Sequence, residues 1–205
     1  MTKNPQFVNL TPTGAYYATN SKQDSPLHRL LRHLLKMSSS PLLDKQTLQL
    51  LGEDAQVETA LATLKLAVKR QFITLSSQAV SIAKVSLEMG LPKLFRQLSN
   101  DGKVLLADDQ GFCLGQIGFD DSDSEQLAAL SADIAIVQER HQSVLTAVSE
   151  FGNIWGVISL GNKHQLSFWP IFIGDYRFVL VLGQKMSLNQ PAFTQLICML
   201  SLRYA

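Results

Sequence analysis

Residues 104–134 read VLLADDQGFCLGQIGFDDSDSEQLAALSADI, and the rhythm of the apolar residues changes within them. Residues 103–108 form a strand-like run, Asp108-Asp109-Gln110-Gly111 has the side chains of a tight turn, and residues 112–117 return as its partner. After the acidic residues 120–125, apolar residues recur at intervals of three and four, the spacing of a helix. Ser122 and Glu125 stand at the two ends of a capping box, so the helix is expected to open there and to run as far as Gly152.

On the C-terminal side three strands are expected, over 154–160, 165–173 and 176–182, with turns at Gly161-Asn162-Lys163 and Gly174-Asp175. A last helix follows Asn189, with Pro191 in its first turn and Phe193, Leu196, Ile197, Leu200 and Tyr204 on one face. On the N-terminal side a short helix opened by Pro92 carries Leu91, Leu94, Phe95 and Leu98 and stops at Asn100-Asp101-Gly102. The order helix, two strands, long helix, three strands, helix predicts an α/β domain of the α+β kind over residues 87–205. Its five-stranded antiparallel sheet is covered by the long helix.

Earlier residues read differently. Residues 1–24 show no periodicity and are expected to be a flexible arm. Within 25–86, helices are expected from Pro26 (Leu27, Leu30, Leu31, Leu34 and Leu35), from about Asp44 to Leu51 with Gly52 as the stop, and from near Asp54 with Val57, Leu61, Leu64 and Val68 on one face. Residues 72–75 and 79–83, around Ser76-Ser77-Gln78, read as a small hairpin.

Two resemblances rest on these residues. VLLADDQGFCLGQIG followed by SEQLAALSADI resembles the Roadblock/dynein light chain family, over roughly residues 88–205. That resemblance implies a dimerising, non-catalytic adaptor or regulator, often of Ras-like small GTPases or motor complexes. ALATLKLAVKRQFITLS, within three helices and a hairpin, resembles a winged helix-turn-helix, giving a winged-helix-like unit over 25–86.

Charge divides along the same boundary. Eight Lys and Arg against four Asp and Glu give residues 25–85 a net +4, whereas residues 86–205 hold eight against twelve, a net −4. The basic unit invites a nucleic-acid reading, with Lys65, Lys69 and Arg70 as candidate contacts. Those bases lie at the far end of their helix, while Glu53, Asp54 and Glu58 occupy its start, the part that a recognition helix presents to the groove. DNA binding by a transcriptional regulator is therefore the alternative reading.

Residues for chemistry are sparse. The sequence has no GxxxxGK[ST] loop and no GxSxG elbow, and His28, His33, His141 and His164 lie on different elements without carboxylates at metal or triad spacing. Asp121, Asp123 and Glu125 alternate as in a calcium loop, but Gln126 and Ala132 fall where its glycine and bidentate glutamate belong. Cys113 and Cys198 have no CxxC partner and read as reduced thiols. The expectation is a protein with no catalytic residue, metal or cofactor. Lacking a signal-peptide-like start and any apolar run of about 20 residues, it is expected in the cytoplasm and not in a membrane.

One pattern points to a partner. Leu127, Leu130, Ile134, Val137, His141, Val144 and Val148 follow at steps of three and four, a heptad-like stripe with Ala128, Ala129, Ala132, Ala135 and Ala147 beside it. Either the stripe covers its own sheet, or apolar surface exceeds one face and part of the helix meets a second copy across a two-fold axis. Leu127, Leu130, Ile134, Val137, His141 and Val144 are the candidate dimer interface.

Overall fold

A computed structural model describes residues 5–52, 57–82, 85–99, 102–141, 143, 144, 147, 157–159, 165–183 and 188–205. The chain forms two compact units: one from the N-terminal residues to Lys84 together with residues 189–205, the other residues 85–188.

The second unit contains the expected sheet. Strands β3 (Val104–Asp108), β4 (Cys113–Ile117), β5 (Val157–Ser159), β6 (Gln165–Ile173) and β7 (Tyr176–Gly183) form one five-stranded sheet in the order β4-β3-β7-β6-β5. Every neighbouring pair is antiparallel. The fold is α+β, as the order of elements implies. The β3–β4 turn has the chemistry read from its sequence: Asp108 Oδ1 accepts from the backbone N–H groups of Gln110 (3.0 Å) and Phe112 (2.8 Å). Gly111 takes φ +85°, a conformation that side chains resist.

Helix α5 (Leu87–Ser99) and helix α6 (Asp121–Arg140) pack on the sheet. Leu91, Leu94, Phe95 and Leu98 are buried, as expected, but Pro92 stands inside α5 instead of opening it. A Cβ on Gly115 of β4 would meet Leu91 and Phe95, so α5 lies close over that strand. The cap of α6 differs from expectation. Asp120 takes the N-cap position, and its Oδ1 accepts from the Asp123 N–H at 2.7 Å, while the Ser122 hydroxyl accepts from the Gln126 side chain. Aspartate caps as well as serine does and also sets a negative charge at the positive end of the helix dipole. Helix α6 ends at Arg140, with His141 as its C-cap, and residues 143, 144 and 147 beyond it are again helical, so the helix expected as far as Gly152 is interrupted at His141. The turn expected at 161–163 and most of the strand expected at 154–160 lie outside the described residues.

The first unit departs further from expectation. Strand β1 (Phe7–Leu10) and helix α1 (Pro12–Thr19) occupy the segment expected to be an arm. Val8, Ala15 and Ala18 are buried. Thr11 caps α1 by accepting from the Gly14 N–H at 3.0 Å and donates its hydroxyl proton to the Gln71 carbonyl at 2.8 Å. At Gly14 a Cβ would stand 2.0 Å from the Phe72 carbonyl oxygen, so the helix approaches that backbone only because the residue is glycine. Strand β2 (Ile73–Ser76) pairs antiparallel with β1, and the described residues 79–82 do not form the hairpin partner expected for it. The Asn9 side chain secures the pairing by donating to Ser76 Oγ and the Gln78 carbonyl, while residues 80–82 bond instead to residues 38–40.

Helices α2 (Pro26–Leu35), α3 (Lys45–Gly52) and α4 (Val57–Lys69) follow the expected pattern. Ser25 caps α2, and Asp44 accepts from the Thr47 N–H at 2.8 Å to cap α3. In α4 the buried residues are Ala60, Leu64 and Ala67, while Val68 is exposed. Helix α7 (Pro191–Tyr204) belongs to this unit and packs against α1 and α2, with Tyr16 and Phe193 rings 6.4 Å apart. The boundary expected to place all of 87–205 in one domain therefore differs from the compact units. Phe193, Leu196, Ile197 and Leu200 are fully buried there, and burial pushes the pKa of the Cys198 thiol up to about 12.

Candidate interaction surface

Helix α6 presents two unlike faces. Its sheet side is small: Ser124, Ala128, Ser131, Ala132 and Ala135 are buried, and Ser131 returns its hydroxyl proton to the Ala128 carbonyl at 2.7 Å. Ala128 lies in a cluster with Leu105, Ala107, Phe168, Val179 and Val181. The register accounts for the grouping, because Leu105 pairs with Val181 and Ala107 with Val179, all on one sheet face. Leu127 and Ile134 flank this cluster, half-buried.

The larger side chains point away from it. Leu130 is 38% exposed, Ile136 48% and Val137 55%. At 3.6 residues per turn, the stripe from Leu127 to Val137 is centred about 120° around the helix from the buried alanines. The stripe therefore does not simply cover its own sheet: two of its members do so at their edges, and Leu130 and Val137 face solvent. His141 is exposed at the C-cap, and Val144, 59% exposed, lies beyond the end of α6. The structure thus brings Leu127, Leu130, Ile134 and Val137 onto one continuous helix and leaves His141 and Val144 past its last turn. Ile136, exposed on the same helix but off the heptad spacing, was not singled out by sequence.

Charged groups border this surface. Arg177 of β7 donates to Glu139 of α6 at 3.3 Å, and Arg177 is mostly covered whereas Glu139 is exposed. Under the helix, burial is the main influence on the Cys113 thiol and raises its pKa, although bonds to the Gly115 backbone and Ser124 favour the thiolate. Both cysteines are free. Among the described residues no three His, Cys, Asp or Glu side chains gather where a metal ion could be held. No described helix is long and apolar enough to cross a membrane.

The candidate DNA contacts Lys65, one turn before the end of α4, Lys69, its last residue, and Arg70, just beyond it, are all exposed. Glu58 occupies the first turn of that helix, and β2 is paired with β1 where a wing hairpin was expected.

No described protein family matches the sequence, and no curated protein does. Among solved structures, the chain is similar to a Roadblock/LC7 domain from Streptomyces avermitilis, at 14% identity over 58% of this chain and 96% of that one, with a TM-score of 0.39. It is similar also to Myxococcus xanthus MglB (18% identity, 56% of this chain and 91% of that one, TM-score 0.39). A third is the gliding protein mglB of Thermus thermophilus (14%, 59% and 91%, TM-score 0.39).

Proposed function

We propose that the protein is a non-catalytic adaptor or regulator that self-associates through the outer face of α6 and presents the resulting dimer to another protein in the cytoplasm. The observation that carries this reading is the exposure of Leu130 and Val137 on a helix whose sheet contact is made by smaller residues. Exposed apolar side chains on one stripe are stabilised by leaving water, and a second copy offers an identical stripe. The spacing suits a two-fold axis. Ile134 of one copy meeting Val137 of a second, antiparallel copy brings Val137 of the first onto Ile134 of the second by the same operation. The partner class that the sequence resemblance implies is a small GTPase. Lys65, Lys69 and Arg70 remain the contacts for the alternative DNA reading, which the acidic first turn of α4 disfavours.

Light scattering across protein concentration tests self-association. The wild type should have the mass of a dimer at tens of micromolar, and Val137→Asp, which places two carboxylates in the apolar seam, should have the mass of a monomer. A monomeric wild type, or a Val137→Asp dimer, refutes the proposal.

A further inference from the structure

Helix α2 and its C-cap residue Lys36 place Arg29, Arg32, His33 and Lys36 at i, i+3, i+4 and i+7, so all four project from one side over about 10 Å. With Asp24 from the preceding loop they line an open cleft of about 250 Å³. One carboxylate there meets two guanidinium groups and one ammonium group, an excess of positive charge. Arg29, Arg32 and His33 are half-buried and Lys36 is exposed.

The cleft is built on fixed groups. Arg32 donates from Nε to the Ala18 carbonyl at 3.0 Å and from Nη2 to the Ser21 carbonyl at 2.8 Å, which ties its guanidinium to the loop before α2. Arg29 Nη1 donates to Asp24 Oδ2 at 2.8 Å, so the carboxylate already has its partner. Burial lowers the Arg32 pKa while the Asp24 charge raises it, the behaviour of a cation partly stripped of water. The dipole at the end of α2 favours bases in its last turn, but it does not require that they share a concavity with Arg29, one turn earlier.

The charge selects the ligand. A lone carboxylate would duplicate Asp24 and compete with it for Arg29. A phosphomonoester carries up to two charges and three strong acceptor oxygens, enough to engage Arg32 and Lys36 together while Asp24 keeps Arg29 and the His33 Nδ1–H donates to the Arg29 carbonyl at 3.1 Å. We propose that the cleft formed by Arg29, Arg32, His33 and Lys36 binds a phosphomonoester anion, either free or as a lipid headgroup.

The test has two arms, both on the full chain at constant ionic strength. In one, inorganic phosphate replaces chloride while backbone amide resonances are followed by NMR. In the other, phosphatidylcholine vesicles with and without phosphatidic acid are sedimented with the protein. Saturating shifts confined to residues 18–36 identify a free anion, and pelleting that requires phosphatidic acid identifies the headgroup; either supports the proposal. Lys36→Gln, at an exposed position, should weaken the response about two- to fivefold, and Arg32→Gln about tenfold or more. Since Arg32→Gln also removes two loop contacts, Lys36→Gln is the deciding variant. Linear, unsaturated shifts without acid-dependent pelleting overturn the proposal, as does a response that Lys36→Gln leaves unchanged or a preference for an oligoglutamate peptide over phosphate.

Discussion

Helices α6 and α7 have similar sequence signatures and opposite outcomes. In α7 the large apolar residues Phe193, Leu196, Ile197 and Leu200 are fully buried, along the stripe that the sequence marks. In α6 the marked stripe is divided, with Leu130 and Val137 exposed and Leu127 and Ile134 at the edge of the core, and alanines and serines make the central sheet contact. A three-and-four spacing of large apolar residues identifies a helix in both. It does not identify the inward face, because a sheet that approaches closely leaves room only for small side chains, and dense packing then decides which face goes in. Helix α4 repeats the lesson on a smaller scale, burying Ala60 and Ala67 around Leu64 while Val68 stays exposed.

The contrast can be broken first where side chains are largest. Phe193→Ala empties a fully buried site in α7 and should cost about 3–5 kcal/mol, measured by denaturant unfolding. A loss under about 1 kcal/mol would show that α7 is not seated as described. Ala128→Leu probes the inner face of α6 in the opposite sense, by overfilling a fully buried position against Leu105 and Val179. It should cost about 1–3 kcal/mol through overpacking. On the outer face, Val137→Asp should change the stability of the monomer by no more than about 0.5 kcal/mol, whatever it does to association. If Val137→Asp proves the more disruptive to monomer stability, the two faces of α6 have been assigned the wrong way round.

The smallest effect concerns the unit that contains α7. His28 is buried in α2, its ring stacks on Tyr17 at 4.4 Å, and its Nδ1 lies 2.8 Å from Ser25 Oγ. Burial lowers its pKa below 6.5, the nearby Arg32 charge adds to the shift, and Asp24 opposes it. The folded state therefore binds the proton less readily than the unfolded chain, so stability is lost as pH falls from about 6.5 toward the folded pKa and levels off below it. Thermal unfolding between pH 7 and 5 should show this slope in the wild type and a shallower one in His28→Leu. An unchanged slope in the variant assigns the pH dependence to other groups.

Strand and helix identities around the β3–β4 turn were legible because Asp108 and Gly111 specify a local geometry and the apolar spacing changes from strand to helix beside them. The partner of β2 was not legible. Residues 73–76 carry strand propensity without an address, and a turn-forming stretch next to them suggests residues 79–83 as strongly as any distant segment. Only folding brings Asn9 to Ser76 and Gln78, and only Gly14 lets α1 approach Phe72 closely enough to hold β1 in place. For the same reason residues 1–24 read as an arm: four strand residues and eight helical ones gain little alone, and their burial comes from packing on α2, on α7 and on the backbone around residues 71–76.

The candidate surface divides in the same way. Its residues from Leu127 to Val137 were chosen by spacing, a local property, whereas their exposure depends on how near the sheet lies to the helix axis. By itself the sequence determined the helices from Pro26 onward, the antiparallel sheet and the absence of nucleotide-loop and triad motifs, since those depend on periodicity, turn chemistry and residue type. The tertiary structure alone decided that β1 pairs with β2, that α7 joins the N-terminal unit and that the larger residues of α6 face outward. Each of those outcomes depends on distances and volumes between segments far apart in the chain, which a linear pattern does not contain.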